Sequence, residues 1–126
     1  MGTAITNNQK AITKNRFDLE ERTLEFSKGV IKLCKMLPQN VINRELVSQL
    51  IRASGSVGAN YREANDALSK KDFNHRIKIT RKEAKEAYYW LELLQEANPE
   101  YKKEINDLLQ EALELKKIFS SIADKG

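Results

Sequence analysis

Residues 41–69 read VINRELVSQLIRASGSVGANYREANDALS, and this stretch decides the fold. Apolar side chains recur in it at Leu46, Leu50, Ala53, Val57, Tyr61, Ala64 and Leu68, in steps of three and four residues. That spacing sets them along one face of a helix, with Asn43, and Glu45 in the next turn, as its expected start. Inside the run, Gly55 and Gly58 ought to weaken the helix, because each Gly costs about 1 kcal/mol relative to Ala in a helix interior. Small residues four apart, Ser54 with Gly58 and Gly55 with Ala59, let a neighbouring backbone approach closely, so a tight helix crossing is expected here. The alternative is a glycine-rich phosphate cradle. It fits poorly, because Gly55-Ser56-Val57-Gly58-Ala59-Asn60 matches neither the dinucleotide fingerprint nor the P-loop, and no strand precedes it.

The same period continues on both sides. Asp18, with Glu21 three positions on, is a good N-cap for a helix carrying Leu19, Phe26, Val30, Leu33 and Leu37 and closed by Pro38. Beyond the break at Ser69-Lys70-Lys71-Asp72, a third stripe runs through Phe73, Ile77, Thr80, Ala84, Tyr88, Leu91 and Gln95. Asn98-Pro99 ends it, and Tyr101, Ile105, Leu108, Ala112, Leu115, Phe119 and Ile122 form a fourth. The expectation is all-α: an antiparallel up-down four-helix bundle in residues 16–126, with helices at about 18–36, 43–69, 72–97 and 100–123. Residues 1–15 are polar, hold only Ile5 and Ile12 as sizeable apolar side chains, and are expected to form a mobile leader.

Composition agrees. A chain of 126 residues is the size of one domain, and 40% apolar with 32% charged residues is too apolar for disorder and too charged for a membrane span. Five Gly and two Pro are too few for the closely spaced turns of a sandwich or barrel. Cys34 and His75 are the only residues of their types, which excludes an intramolecular disulfide and a Cys/His zinc site within one chain. A reducing compartment, the cytoplasm, is expected; no basic flank precedes a long apolar run, so neither secretion nor a membrane partner is. Cys34, four residues beyond Val30, is expected to be packed in the interior.

The third helix carries more than a core face. A second stripe at Ile79, Trp90, Leu93 and Ala97 exceeds what one core can bury, so an oligomer interface is expected at Ile79, Tyr89, Trp90 and Leu93. Tyr88, Tyr89 and Trp90 span about 200° of helical arc, so at least one ring faces away from the core, toward another copy or, alternatively, toward a stacked nucleotide. Between Lys71 and Lys85 lie six basic residues against Asp72 and Glu83, a local excess of +4 that equals the whole chain's. Such a row either forms a solvated face with local pairs or meets phosphates, with binding that is steeply salt-dependent and blind to sequence.

Catalytic and metal chemistry find no support in the motifs. His75 has no nucleophile elbow to serve. Helical-bundle nucleases of the higher-eukaryote-and-prokaryote nucleotide-binding family place Arg five positions before His, where this chain has Lys70. A di-iron bundle needs two histidines. No enzyme activity, metal or cofactor is expected, and a metal-independent nuclease depending on His75 is kept as the remote alternative.

Residues 17–94 resemble a family: the bacterial four-helix-bundle proteins first noticed in intervening sequences of 23S ribosomal RNA genes. The resemblance is carried by Asp18-Leu19-Glu20, Leu37-Pro38, the block from Gln49 to Asn60 with Glu63-Ala64, Lys71-Asp72-Phe73 leading to Lys78-Ile79, and Lys82-Glu83-Ala84-Lys85-Glu86 running into Tyr89-Trp90-Leu91. Tyr61-Arg62 departs from the family's pattern by adding a cation where many relatives have an acidic or small residue. The resemblance implies a bacterial homopentamer of four-helix bundles, related to the accessory variability determinants of diversity-generating retroelements, whose partners are a reverse transcriptase and nucleic acid. It implies no catalytic motif. On this reading the chain is a non-enzymatic oligomeric scaffold that contacts RNA or DNA through Arg52, Arg62, Arg76, Lys78, Arg81, Lys82 and Lys85. The main alternative is a scaffold for another protein, with charge aiding only the encounter.

Overall fold

In the computed structural model, which describes residues 19–125, the apolar stripes fold into four α-helices. They are α1 (Leu19–Met36), α2 (Val41–Asn65), α3 (Lys70–Ala97) and α4 (Lys102–Lys125), with a 3-10 turn at Pro99–Tyr101 leading into α4. No strand occurs among the described residues. The expected leader at 1–15 and the expected cap Asp18 lie outside the described residues. Consecutive helices joined by short turns pack on one another and α1 closes against α4, so the chain runs up and down as a bundle. Leu50 and Val57 of α2, Ile77, Leu91 and Leu94 of α3, and Ile105, Leu115 and Phe119 of α4 are fully buried between them. Burial of each such side chain stabilises the fold by about 1.5–3 kcal/mol. Tyr61 of α2 and Phe119 of α4 meet across this core with ring centroids 5.4 Å apart.

The helix ends differ from the expected boundaries for local reasons. Asn40, not Asn43, caps α2: its side-chain oxygen accepts a hydrogen bond from the Asn43 backbone N–H at 2.8 Å. This frees the Asn43 side chain for the interior, where it is buried against Asn98. At the far end α2 stops at Asn65, because the Asp66 N–H turns back to the carbonyls of Arg62 and Glu63, both at 3.2 Å, and the Ala67 N–H to that of Ala64 at 3.1 Å. Leu68, expected on the apolar stripe, therefore leaves the helix face and is 100% exposed. Ser69 then caps α3, with its hydroxyl accepting from the Asp72 N–H at 3.1 Å, so this helix begins at Lys70. In α4 the buried positions include Leu109 and Ala123, while the expected Leu108 and Ile122 are only half-buried.

The tight crossing forms, but through one of the two small pairs. The Ser27 hydroxyl of α1 donates to the Ser54 carbonyl at 2.9 Å. Directly beside it, a Cβ on Gly58 would stand 3.0 Å from Thr23 Oγ1 and 3.3 Å from Thr23 Cβ. Thr23 cannot easily yield, since it is buried and its hydroxyl already donates toward the carbonyls of Leu19 at 2.7 Å and Glu20 at 3.1 Å. Gly55 and Ala59 face solvent instead. The segment is continuous helix, so its backbone N–H groups are used internally and form no phosphate cradle.

The two glycines should therefore respond oppositely to alanine. At Gly55, where a Cβ meets nothing within 4 Å, Gly55→Ala should stabilise by about 0.5–1 kcal/mol through helix propensity alone. At Gly58 the same gain is opposed by overpacking worth about 1–3 kcal/mol, so Gly58→Ala should lower the denaturant midpoint. Paired urea titrations measure both.

Candidate nucleic-acid interface

α3 presents its core face and its charged face side by side. Ile77, Thr80, Ala84, Ala87, Leu91 and Leu94 point inward and are buried. Lys78 and Lys85 stand one position on from Ile77 and Ala84, and Lys82, four residues beyond Lys78 and three before Lys85, joins them on one exposed ridge. Lys78, Arg81, Lys82 and Lys85 line one open cleft of about 390 Å³, together with Glu86, Tyr89 and Trp90. Among the described residues, the only ion pair of these basic side chains is the exposed one between Lys82 Nζ and Glu86 at 3.9 Å, which is worth little in water. Among the described residues, Lys78, Arg81 and Lys85 have no acidic partner within 4.0 Å. The ridge is thus a set of largely unneutralised cations on a rigid helix.

The seven cations expected to act together are separated by the structure. Arg76 donates to the Asn60 side-chain oxygen at 3.1 Å and so ties α3 to α2. Arg62 lies 3.9 Å from a Glu20 carboxylate oxygen, across the α1–α2 contact. Arg52 donates to Gln49 on its own helix and faces Glu83 of α3 closely enough to favour that carboxylate's charged form. Only Lys78, Arg81, Lys82 and Lys85 share the cleft. Tyr89 joins them. It is four residues beyond Lys85 and seven beyond Lys82, spacing that places it on the basic ridge and that the sequence already displayed.

Of the four residues expected at an oligomer interface, Ile79, Trp90 and Leu93 are half-buried and Tyr89 is exposed. Near them lie two buried polar atoms without hydrogen-bond partners, Glu83 Oε1 and Trp90 Nε1. Glu83 is only 9% exposed. Its carboxyl is pushed above the ordinary glutamate range, first by desolvation and then by the nearby Glu86, against the opposing pull of Lys82 and Arg52. The remaining candidates lie elsewhere. His75 is exposed and lines a separate cleft with Glu63, Asp66, Asp72 and Arg76, away from the lysine ridge. Cys34 is half-buried, and burial pushes its thiol up to about 11, which keeps it in the unreactive form. Among the described residues no group of three His, Cys, Asp or Glu side chains is placed to hold a metal ion. No helix among them is long and apolar enough to cross a membrane.

Because the folded bundle holds the Glu83 proton more tightly than the unfolded chain does, ionising Glu83 costs stability. Its favourable contribution is complete below the ordinary glutamate range and is lost as pH rises through the folded-state value. Glu83→Gln should therefore raise Tm by about 2–5 °C at about pH 8, and the gain should shrink toward zero at about pH 4. A gain of equal size at both pH values would contradict this account of the carboxyl.

Comparison with known proteins places the chain. The 23S rRNA-intervening sequence protein family matches residues 15–121. Among solved structures, a protein of unknown function from the S23 ribosomal protein family of Bacteroides thetaiotaomicron superposes with a TM-score of 0.74 at 31% identity, covering 83% of this chain and 97% of that one. No curated protein matches. A match over most of the chain, joined to a shared helical fold, shows that this protein belongs to the 23S rRNA-intervening sequence protein family.

Proposed function

We propose that the protein is a non-enzymatic, cytoplasmic, oligomeric scaffold that binds nucleic acid through the α3 ridge. The observation that carries this reading is the convergence of Lys78, Arg81, Lys82 and Lys85 on one cleft, with a single exposed acid-base pair among them. Cations held on a rigid helix and left without local partners attract a polyanion by releasing its counterions. Lys78 and Lys85 are seven residues, or about 10.5 Å, apart along the helix. Such a row positions a phosphate backbone without reading its sequence.

Self-association belongs to the same reading. Ile79, Trp90 and Leu93 offer half-buried apolar surface beside the ridge, and repeating the ridge around a symmetry axis concentrates its field. The homopentamer implied by the family resemblance would give a light-scattering mass about five times the 14.5 kDa of one chain.

A second reading is favoured by a different surface. Leu24 and Ile31 of α1 and Ile51 of α2 are exposed large apolar side chains that flank the Ser27–Ser54 contact. They suit a protein partner, and a reverse transcriptase is the one suggested by the family resemblance. Capture of the same host partner with and without nuclease treatment separates this reading from the first.

For the leading reading, Lys82→Glu with Lys85→Glu should weaken binding to all tested sequences alike. The slope of log K against log salt should become shallower by about one to two units, as expected for two lost phosphate contacts. Fluorescence anisotropy across a salt series measures both quantities. Unchanged affinity in the double variant, with its helicity intact, would contradict the assignment.

A further inference from the structure

Resting on that reading of the ridge, we propose that its ligand is single-stranded, with Tyr89 serving as the surface on which an unpaired base stacks while Lys78, Lys82 and Lys85 hold the flanking phosphates. Tyr89 is 53% exposed, and among the large apolar side chains of α3 it is the one that stands exposed. It shares the open cleft of about 390 Å³ with the cations, a volume within the range of ligand clefts, about 300–1,000 Å³. Its orientation is steadied by Trp90: the ring centroids are 5.1 Å apart and the planes make an angle of 69°. An edge-to-face contact of this kind leaves at least one Tyr89 face uncovered by the indole.

The surroundings of that face decide the ligand class. A phosphate row alone accounts for the lysines but leaves the phenol ring unused. A duplex keeps its bases stacked inside and would offer the ridge only phosphates and grooves. An unpaired strand offers both phosphates and free base faces, the combination found in sequence-tolerant binders of single strands, where aromatic rings sit beside cations. Glu86, the one acid among the described residues that line the cleft, lies next to Lys82 at 3.9 Å and is partly neutralised there. Specificity between RNA and DNA is not set by stacking, since every base has a π-face.

Trp90 is the only tryptophan in the chain, so its fluorescence reports directly on this cleft. The test titrates the protein with unlabelled oligo-dT and oligo-rU of about twelve nucleotides and with a duplex of equal length, in the range of single-strand site sizes. Wild type, Tyr89→Phe, Tyr89→Ala and the Lys82→Glu/Lys85→Glu double variant are compared. The single strands should bind more tightly than the duplex and change Trp90 emission. Tyr89→Ala should weaken single-strand binding about 5- to 100-fold and leave duplex binding unchanged, while Tyr89→Phe, which keeps the ring, should bind like wild type. If Tyr89→Ala leaves single-strand binding intact while the lysine variant still loses it, stacking is overturned and the ridge stands. If neither strand form binds wild type at low salt, the ridge reading falls as well.

Discussion

The register between α2 and α3 is the constraint on which the rest depends, and two polar contacts fix it. At one end, Asn43 and Asn98 exchange reciprocal side-chain hydrogen bonds of 2.9 Å each within the buried interior. The Asn43 amide also donates to the Pro38 carbonyl at 2.8 Å and that of Asn98 to the Leu94 carbonyl at 3.0 Å, so both amides use their donors fully. A buried amide pair satisfied in this way stabilises little more than apolar packing would, but any slip of one helix along the other leaves several groups unpaired at about 1–3 kcal/mol each. The pair also clasps the turn after α1 to the turn after α3. At the other end of the helix pair, Arg76 reaches Asn60, so this cation, expected at the nucleic-acid site, serves register instead.

With α2 and α3 locked, rotation of α3 about its axis is fixed, and so is the direction of its charged ridge. The core residues Ile77, Ala84 and Leu91 repeat every seven positions, and so do Lys78 and Lys85, one residue later. A helix of 3.6 residues per turn holds both rows in fixed angular relation. The same packing that buries the first row therefore presents the second to solvent. On the opposite side of α2, the close approach of α1 at Gly58 completes the bundle without touching the ridge. Fold and candidate function thus depend on one helix but on different faces of it.

Most of the fold was legible in the sequence because helical periodicity is a one-dimensional signal. The stripes at Phe26, Val30 and Leu33 and at Leu50, Ala53, Val57, Tyr61 and Ala64 are buried as their spacing requires. The boundaries were harder, since a cap depends on which neighbour gains most from the side chain. Asn40 and Asn43 are both good caps by type, and only the presence of Asn98 across the bundle decides that Asn43 goes inside. Leu68 fits the stripe by spacing, yet the turn closed by Asp66 and the need for Ser69 to cap α3 remove it from the face. Gly55 and Gly58 are indistinguishable in a sequence; their roles part only because Thr23 stands beside one of them.

The candidate site was legible as a charge cluster but not as a cleft. Arg52, Arg62 and Arg76 carry the same charge as the ridge lysines; Arg52 turns to Gln49 one turn back on its own helix, while the diversion of Arg62 to Glu20 and of Arg76 to Asn60 is a matter of tertiary neighbours. Tyr89 reads as part of an aromatic run until its phase relative to Lys82 and Lys85 is followed around the helix. The most direct test of the central claim is photo-crosslinking of a thiouridine-containing single-stranded RNA to the full chain, with the adducts mapped by mass spectrometry. The account predicts adducts concentrated in peptides of α3 that contain Lys78 to Trp90 and suppressed by salt. Adducts confined to α1 or α4, with α3 unmodified, would contradict it.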